Sequence, residues 1–198
     1  MKLEVELDKF LKIKTNGRDD SSSNYSNYPY EPTPYIVLQG LCNSGYISKK
    51  DKIIDFGSGK GRVDFYLSFA AKAKMIGVEI NERLYNSSLE NKKKCISSQR
   101  VEFVNCDASK YILPSDTTGA YFFNPFSPKI LKKILNNIMS SLEENPREFK
   151  LFFYYPSQEY LNLLEEYENI EYIENISFQD AFDVNDQREY IVVYHVNK

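Results

Sequence analysis

Four polar residues each stand at or near the end of a short apolar run: Asp55 after Ile53-Ile54, Glu79 in "KMIGVEI", Asp107 in "VEFVNCDA" and Asn124 in "AYFFNPF". Open parallel sheets bind ligands beyond the carboxyl ends of their strands, so acids and amides at strand ends meet sugar hydroxyls, amines and ammonium groups. Asp55 leads directly into a glycine-rich turn, Gly57-Ser58-Gly59-Lys60-Gly61-Arg62. Glycines there let the backbone turn tightly and approach a ligand that a Cβ would strike, and the following helix points its amides at the same place. The spacing narrows the ligand. A dinucleotide fingerprint requires glycine where Arg62 stands, and a P-loop requires glycine at Ile54 and Ser or Thr at Gly61.

Glu79 follows the turn by about 20 residues, the interval at which a carboxylate reaches ribose hydroxyls, and Asp107 is placed to accept from an adenine amine. Taken singly, either acid also fits a solvated turn. Taken in order, the four strand ends resemble motifs I to IV of the class I S-adenosylmethionine-dependent methyltransferases, over residues 30–198. The resemblance implies S-adenosylmethionine as cofactor. It implies that Gly57, Ser58, Gly59 and Gly61 shape the turn beside the methionine moiety, and that Asp55 orients that turn or meets the ammonium. Glu79 then holds the ribose, Ile80 packs on adenine, and Asp107 with Ala108 meets the adenine edge. Tyr30-Glu31-Pro32-Thr33-Pro34 resembles the "YxPTP" element that precedes motif I in some small methyltransferases, which sets Thr33 near the methionine carboxylate.

Asn124-Pro125-Phe126 is similar to motif IV of amino-group methyltransferases, and the resemblance makes these three the catalytic candidates. An amide oxygen and a proline carbonyl accept from the target amine there, an aromatic ring packs on it, and Asn124 borders the cofactor as well. Those enzymes usually carry two prolines before the aromatic residue, whereas this chain has one and continues Ser127-Pro128. The acceptor class therefore stays open between the amine or amide of a protein, a nucleobase and a small molecule. The alternative is a non-catalytic module that binds S-adenosylmethionine or a nucleotide. The single histidine, His195, lies near the end of the last expected strand and reads as structural or exposed.

Presenting those strand ends together requires an α/β chain. Strands are expected near 52–56, 74–79, 101–105, 119–123 and 149–155, alternating with helices near 61–72, 82–97, 127–143 and 157–167. Residues 170–178 and 189–196 read as two strands joined by a polar loop, hence an antiparallel hairpin at the sheet edge. The expected fold is a Rossmann-like three-layer sandwich with a seven-stranded, mostly parallel sheet. Ahead of it, Leu3, Leu7, Phe10 and Leu11 recur at helical spacing, although Leu3, Val5 and Leu7 also alternate as a strand would. A polar Ser/Asn/Tyr-rich stretch follows, so residues 1–32 read as an N-terminal helix with a flexible arm and 33–198 as the cofactor-binding domain. Tyr25, Tyr28, Tyr30 and Tyr35 either order over a ligand or rest on the surface, and removal of residues 1–28 is expected to leave the core folded.

With 42% hydrophobic residues in 198, the chain can bury one core of ordinary size. A net charge of −3 lacks the basic excess of most phosphate-backbone binders, and the lysine groups at 49–50, 92–94 and 129–133 read as solvated surface. Cys42, Cys95 and Cys106 are far apart, show no metal-ligand spacing and suit a reducing cytoplasm. Neither a signal peptide nor a membrane span is legible, so no membrane or metal partner is expected.

Overall fold

The structure, a computed structural model, describes residues 2–19, 30–182 and 186–197. Five strands run parallel: β1 (Lys52–Phe56), β2 (Lys74–Glu79), β3 (Val101–Asn105), β4 (Gly119–Phe122) and β5 (Phe149–Tyr154). The hairpin of β6 (Ile170–Ser177) and β7 (Tyr190–Val196) completes a seven-stranded sheet in the order β3-β2-β1-β4-β5-β7-β6, with β7 antiparallel to β5. The chain winds outward from β1 to β3, returns to the other side of β1 as β4, and so reverses direction between β1 and β4. A cleft opens at the carboxyl ends of strands at such a reversal.

The helices cover both faces. On one lie α5 (Pro128–Glu144) and α6 (Gln158–Leu164); on the other, α1 (Lys2–Leu11), α2 (Tyr35–Asn43) and α3 (Arg62–Ala70). Helix α4 (Glu82–Lys92) follows β2. In α5, Leu131, Ile134, Leu135, Ile138 and Leu142 fall on one stripe and are all buried. Each such side chain contributes about 1.5–3 kcal/mol on burial. Strands β1, β2 and β4 are buried on both faces, which is why they read as continuous apolar runs, whereas the edge strand β6 is mostly exposed and carries a bulge between Tyr172 and Glu174.

Three expectations need correction. Helix α4 stops at Lys92 rather than near 97, and Ser97 pulls the chain back onto α3 by bonding Phe65 O at 3.0 Å while Ser68 bonds Ser97 O at 2.9 Å. The stripe drawn on α1 is displaced. Leu11 is fully buried, but Leu3 and Phe10 are exposed and the other inward residue is Asp8. Asp8 is accommodated by donors, accepting from Thr15 N and Oγ1 at 2.7 Å each and from Tyr35 OH at 2.6 Å.

Residues 2–19, finally, pack into the domain instead of leading up to it. Leu11 and Ile13 belong to the same core as Leu38, Leu41 and Tyr66, and Arg62 is bonded to Glu4, Thr15 and Asn16. Tyr30 and Tyr35 are both buried, while Tyr25 and Tyr28 lie outside the described residues.

Candidate active site

The cleft between β1 and β4 holds a cavity of about 740 Å³, open to solvent, whose walls include Thr33, Asp55, Gly57, Ser58, Glu79 and Tyr121. A second cavity of about 390 Å³ continues from it past Gly57, Glu79, Ile80 and Phe126 to Asp107 and Ala108. The strand-end acids Asp55, Glu79 and Asp107 all face this space, although β1, β2 and β3 are separated by two helical crossovers in sequence.

Glu79 binds the turn to the strands. It is 7% exposed, its Oε2 accepts from Gly59 N at 2.8 Å, and its Oε1 accepts from Asn81 N at 2.8 Å. Burial pushes its carboxyl above the usual range, and the backbone amides of Asn81, Gly59 and Ile80 oppose that shift by favouring the charged form. Asp107 caps the 3₁₀ turn of residues 108–110, accepting from Ser109 N at 2.9 Å and Ser109 Oγ at 2.8 Å. Thr33 Oγ1 lies 3.1 Å from Tyr121 OH in the wall of the larger cavity.

Two glycines of the turn do not line either cavity. Gly59 has φ +54, and a Cβ on it would lie 2.2 Å from the ring of Tyr30, which covers the turn and donates its hydroxyl to Thr15 O at 2.6 Å. Gly61 has φ +86, and a Cβ there would lie 2.5 Å from Phe103, so it permits α3 to pack on β3. Nor does Asn124 form part of either wall; it sits between Phe123 and Pro125, which do, with φ +41 and its Oδ1 buried without a hydrogen-bond partner among the described residues. Ser58 Oγ is likewise buried and unpartnered. Buried polar atoms are nearly always bonded, and strained backbone concentrates at functional sites, so both atoms point to a ligand.

Sequence reading missed several residues here. Tyr160 of α6 fixes the Asn124-Pro125-Phe126 segment by accepting from Phe126 N at 3.2 Å and donating to Phe126 O at 2.8 Å. Phe123 packs on Tyr154 with ring centroids 4.6 Å apart and meets Tyr155 edge-on, so aromatic rings flank the cleft on the β5 side. Tyr155 has φ +52, a second left-handed residue just past a strand end. Buried Asp64, on the first turn of α3, looks in sequence like any solvated acid near a helix N-terminus. His195 lies at the other end of the sheet, paired with Lys150 at the start of β5. Among the described residues no group of three His, Cys, Asp or Glu side chains is placed to hold a metal ion, and no helix is long and apolar enough to cross a membrane.

No protein-family model matches the chain. A protein-lysine N-methyltransferase of Saccharolobus islandicus is 36% identical over 70 residues, a stretch covering 33% of this chain and 42% of that protein. Among solved structures, an RNA methyltransferase from Salinibacter ruber in complex with S-adenosyl-L-homocysteine matches with TM-score 0.57 and 18% identity, covering 84% of this chain and 92% of that one. The human methyltransferase 10 domain containing protein matches with TM-score 0.63 and 12% identity over 98% and 93%. A TehB-like S-adenosylmethionine-dependent methyltransferase from Corynebacterium glutamicum matches with TM-score 0.55 and 17% identity over 82% and 89%. At these identities the likeness establishes the fold, which is the Rossmann-like fold of the S-adenosylmethionine-dependent methyltransferases.

Proposed function

We propose that this protein is an S-adenosylmethionine-dependent methyltransferase that acts on a nitrogen acceptor. The observation that carries the reading is the unpartnered, buried Oδ1 of Asn124, whose neighbours Phe123 and Pro125 line the cleft on the strand-order reversal. The cleft residues suit the cofactor part by part. Glu79 keeps lone pairs free for ribose hydroxyls beyond the two amides it already accepts. Ile80, an apolar side chain left 48% exposed between the two cavities, offers a face for adenine, with Asp107 and Ala108 at its edge. Thr33, the orphaned Ser58 hydroxyl and Asp55 surround the end that suits an amino-acid group.

Bound there, the cofactor supplies a methyl group already activated on a sulfonium. What the chain adds is alignment, and well-oriented pairs reach effective molarities of about 10⁵ M or more. Asn124 Oδ1 and the Pro125 carbonyl accept from the N–H groups of the acceptor and keep its lone pair forward, while Phe123 and Phe126 exclude water from the cleft wall. The likeness to a protein-lysine N-methyltransferase supports a nitrogen acceptor and ranks a lysine amine above a nucleobase or small-molecule amine. The net charge of −3 also weighs against a nucleic acid.

Calorimetry should find that S-adenosylmethionine and its demethylated product bind while nicotinamide dinucleotides do not. Each hydrogen bond to a charged group is worth about 1.5–3 kcal/mol, so Glu79→Ala should weaken binding about tenfold or more. An unchanged dissociation constant would remove Glu79 from the site. Incubation with methyl-labelled cofactor and fractionated cell extract then assigns the acceptor by the fraction that takes up label. Cofactor binding with no label transferred to any fraction would mean a binding module instead.

A further inference from the structure

Asp64 has no solvent exposure, Asp55 is 3% exposed, and neither oxygen of Asp64 has a donor among the described residues. The cation nearest in sequence, Arg62, is directed elsewhere, to Glu4, Thr15, Asn16 and the Thr33 carbonyl. A bare carboxylate at such a position costs several kcal/mol, so a proton must stay on it. Its neighbour is the Asp55 carboxyl, close enough for each to shift the other's hold on a proton. We propose that Asp64 is a positioning residue: as a neutral acid it donates to Asp55 and holds that carboxylate as a single negative charge facing the cationic end of an amino-acid ligand. Resting on the function proposed above, that cationic end is the ammonium group of S-adenosylmethionine.

The groups facing Asp55 are Glu79 on β2, Tyr121 on β4 and Tyr30 over the turn, all acids or phenols, with the Arg62 guanidinium engaged by its own partners. Burial raises the Asp55 carboxyl, the bond from Asp64 lowers it, and the charge of Glu79 raises it again, leaving it at about 7. Burial and the charge of Asp55 hold the Asp64 carboxyl well above the usual range. An ammonium arriving beside Asp55 favours its ionised form and displaces whatever proton it still carries. Affinity should therefore rise with pH as free Asp55 ionises, until the ligand's own amino group begins to lose its proton.

S-Adenosylhomocysteine, titrated calorimetrically in buffers of different ionisation enthalpy, should release a fraction of a proton at about pH 6 and a smaller fraction at about pH 7.5, below the range in which its own amino group loses its charge. Asp64→Leu should lose about tenfold in affinity, and Asp64→Asn, whose amide donates in the same place, should restore it to within about threefold of wild type. Carboxyl-carbon NMR of the ligand-free protein reads the proton independently and should find Asp64 protonated at neutral pH. An ionised Asp64, binding without proton release, or an Asp64→Asn variant as weak as a folded Asp64→Leu variant would each overturn the proposal. Failure of the wild type to bind S-adenosylhomocysteine would overturn the cofactor reading and the ligand half of this one, while a proton on Asp64 in the NMR titration would still support the pairing with Asp55.

Discussion

Asn124→Ala should lower methyl transfer about a hundredfold or more, because removing a preorganised polar contact that acts in the transition state costs about 2.7–4 kcal/mol. The residue has the attributes of such a contact: a left-handed backbone at φ +41, a buried amide oxygen with no partner among the described residues, and neighbours on both sides in the cavity wall. The strain is held by its surroundings, since Tyr160 clamps the next backbone but one and Pro128 opens α5 shortly after. Cofactor affinity should change by less than about threefold, because the groups proposed to face ribose and adenine are Glu79, Ile80 and Asp107, which line the second cavity. Single-turnover rates set against calorimetric dissociation constants separate the two effects. A variant turning over at the wild-type rate would reduce Asn124-Pro125-Phe126 to the turn that precedes α5. Phe126→Ala is a poorer probe of the acceptor than its sequence position suggests. The ring is 5% exposed and packs in the α5–α6 core, so its loss should cost about 3–5 kcal/mol of stability.

Arg62→Met should destabilise the fold by about 3–5 kcal/mol, the range found when one partner of a buried ion pair is removed. Arg62 has a side chain only 2% exposed, ion-pairs with Glu4, and lies 3.5 Å from Asp8. Its Nε donates to Thr15 Oγ1 at 2.7 Å, its Nη2 to Asn16 Oδ1 at 2.7 Å, and its guanidinium stacks 4.5 Å from the centroid of Tyr35. The substitution leaves Asp8 buried with its nearest cation gone. Deleting residues 1–18 should cost a similar amount, and combining the two should cost much less than their sum, since both dismantle one network. Urea denaturation of the three variants tests this. A loss below about 1 kcal/mol for Arg62→Met would show that the network contributes specificity rather than stability.

Much of this arrangement was legible in sequence because it depends on local pattern. Alternating apolar runs and amphipathic stretches mark β1 to β5 and their crossovers, a loop without a helix marks the β6–β7 hairpin, and the glycine turn after Asp55 marks the sheet end where the cleft opens. Strand alternation and tight turns are decided within a few residues of chain. What only the tertiary structure decided concerns polar side chains, whose role depends on what lies opposite. Asp8 and Asp64 look like surface acids until the fold buries one beneath Thr15 and Tyr35 and the other against Asp55. Arg62 shows in sequence only that a dinucleotide fingerprint fails; in the fold its long side chain crosses to α1 and fastens the N-terminal segment beside the glycine turn. Tyr160 is one helical aromatic among many until α6 brings its hydroxyl to the backbone of Phe126. Periodicity specifies which face of an element turns inward, but burial makes a charge or hydroxyl depend on a partner far away in sequence, and that partner exists only once the chain has closed.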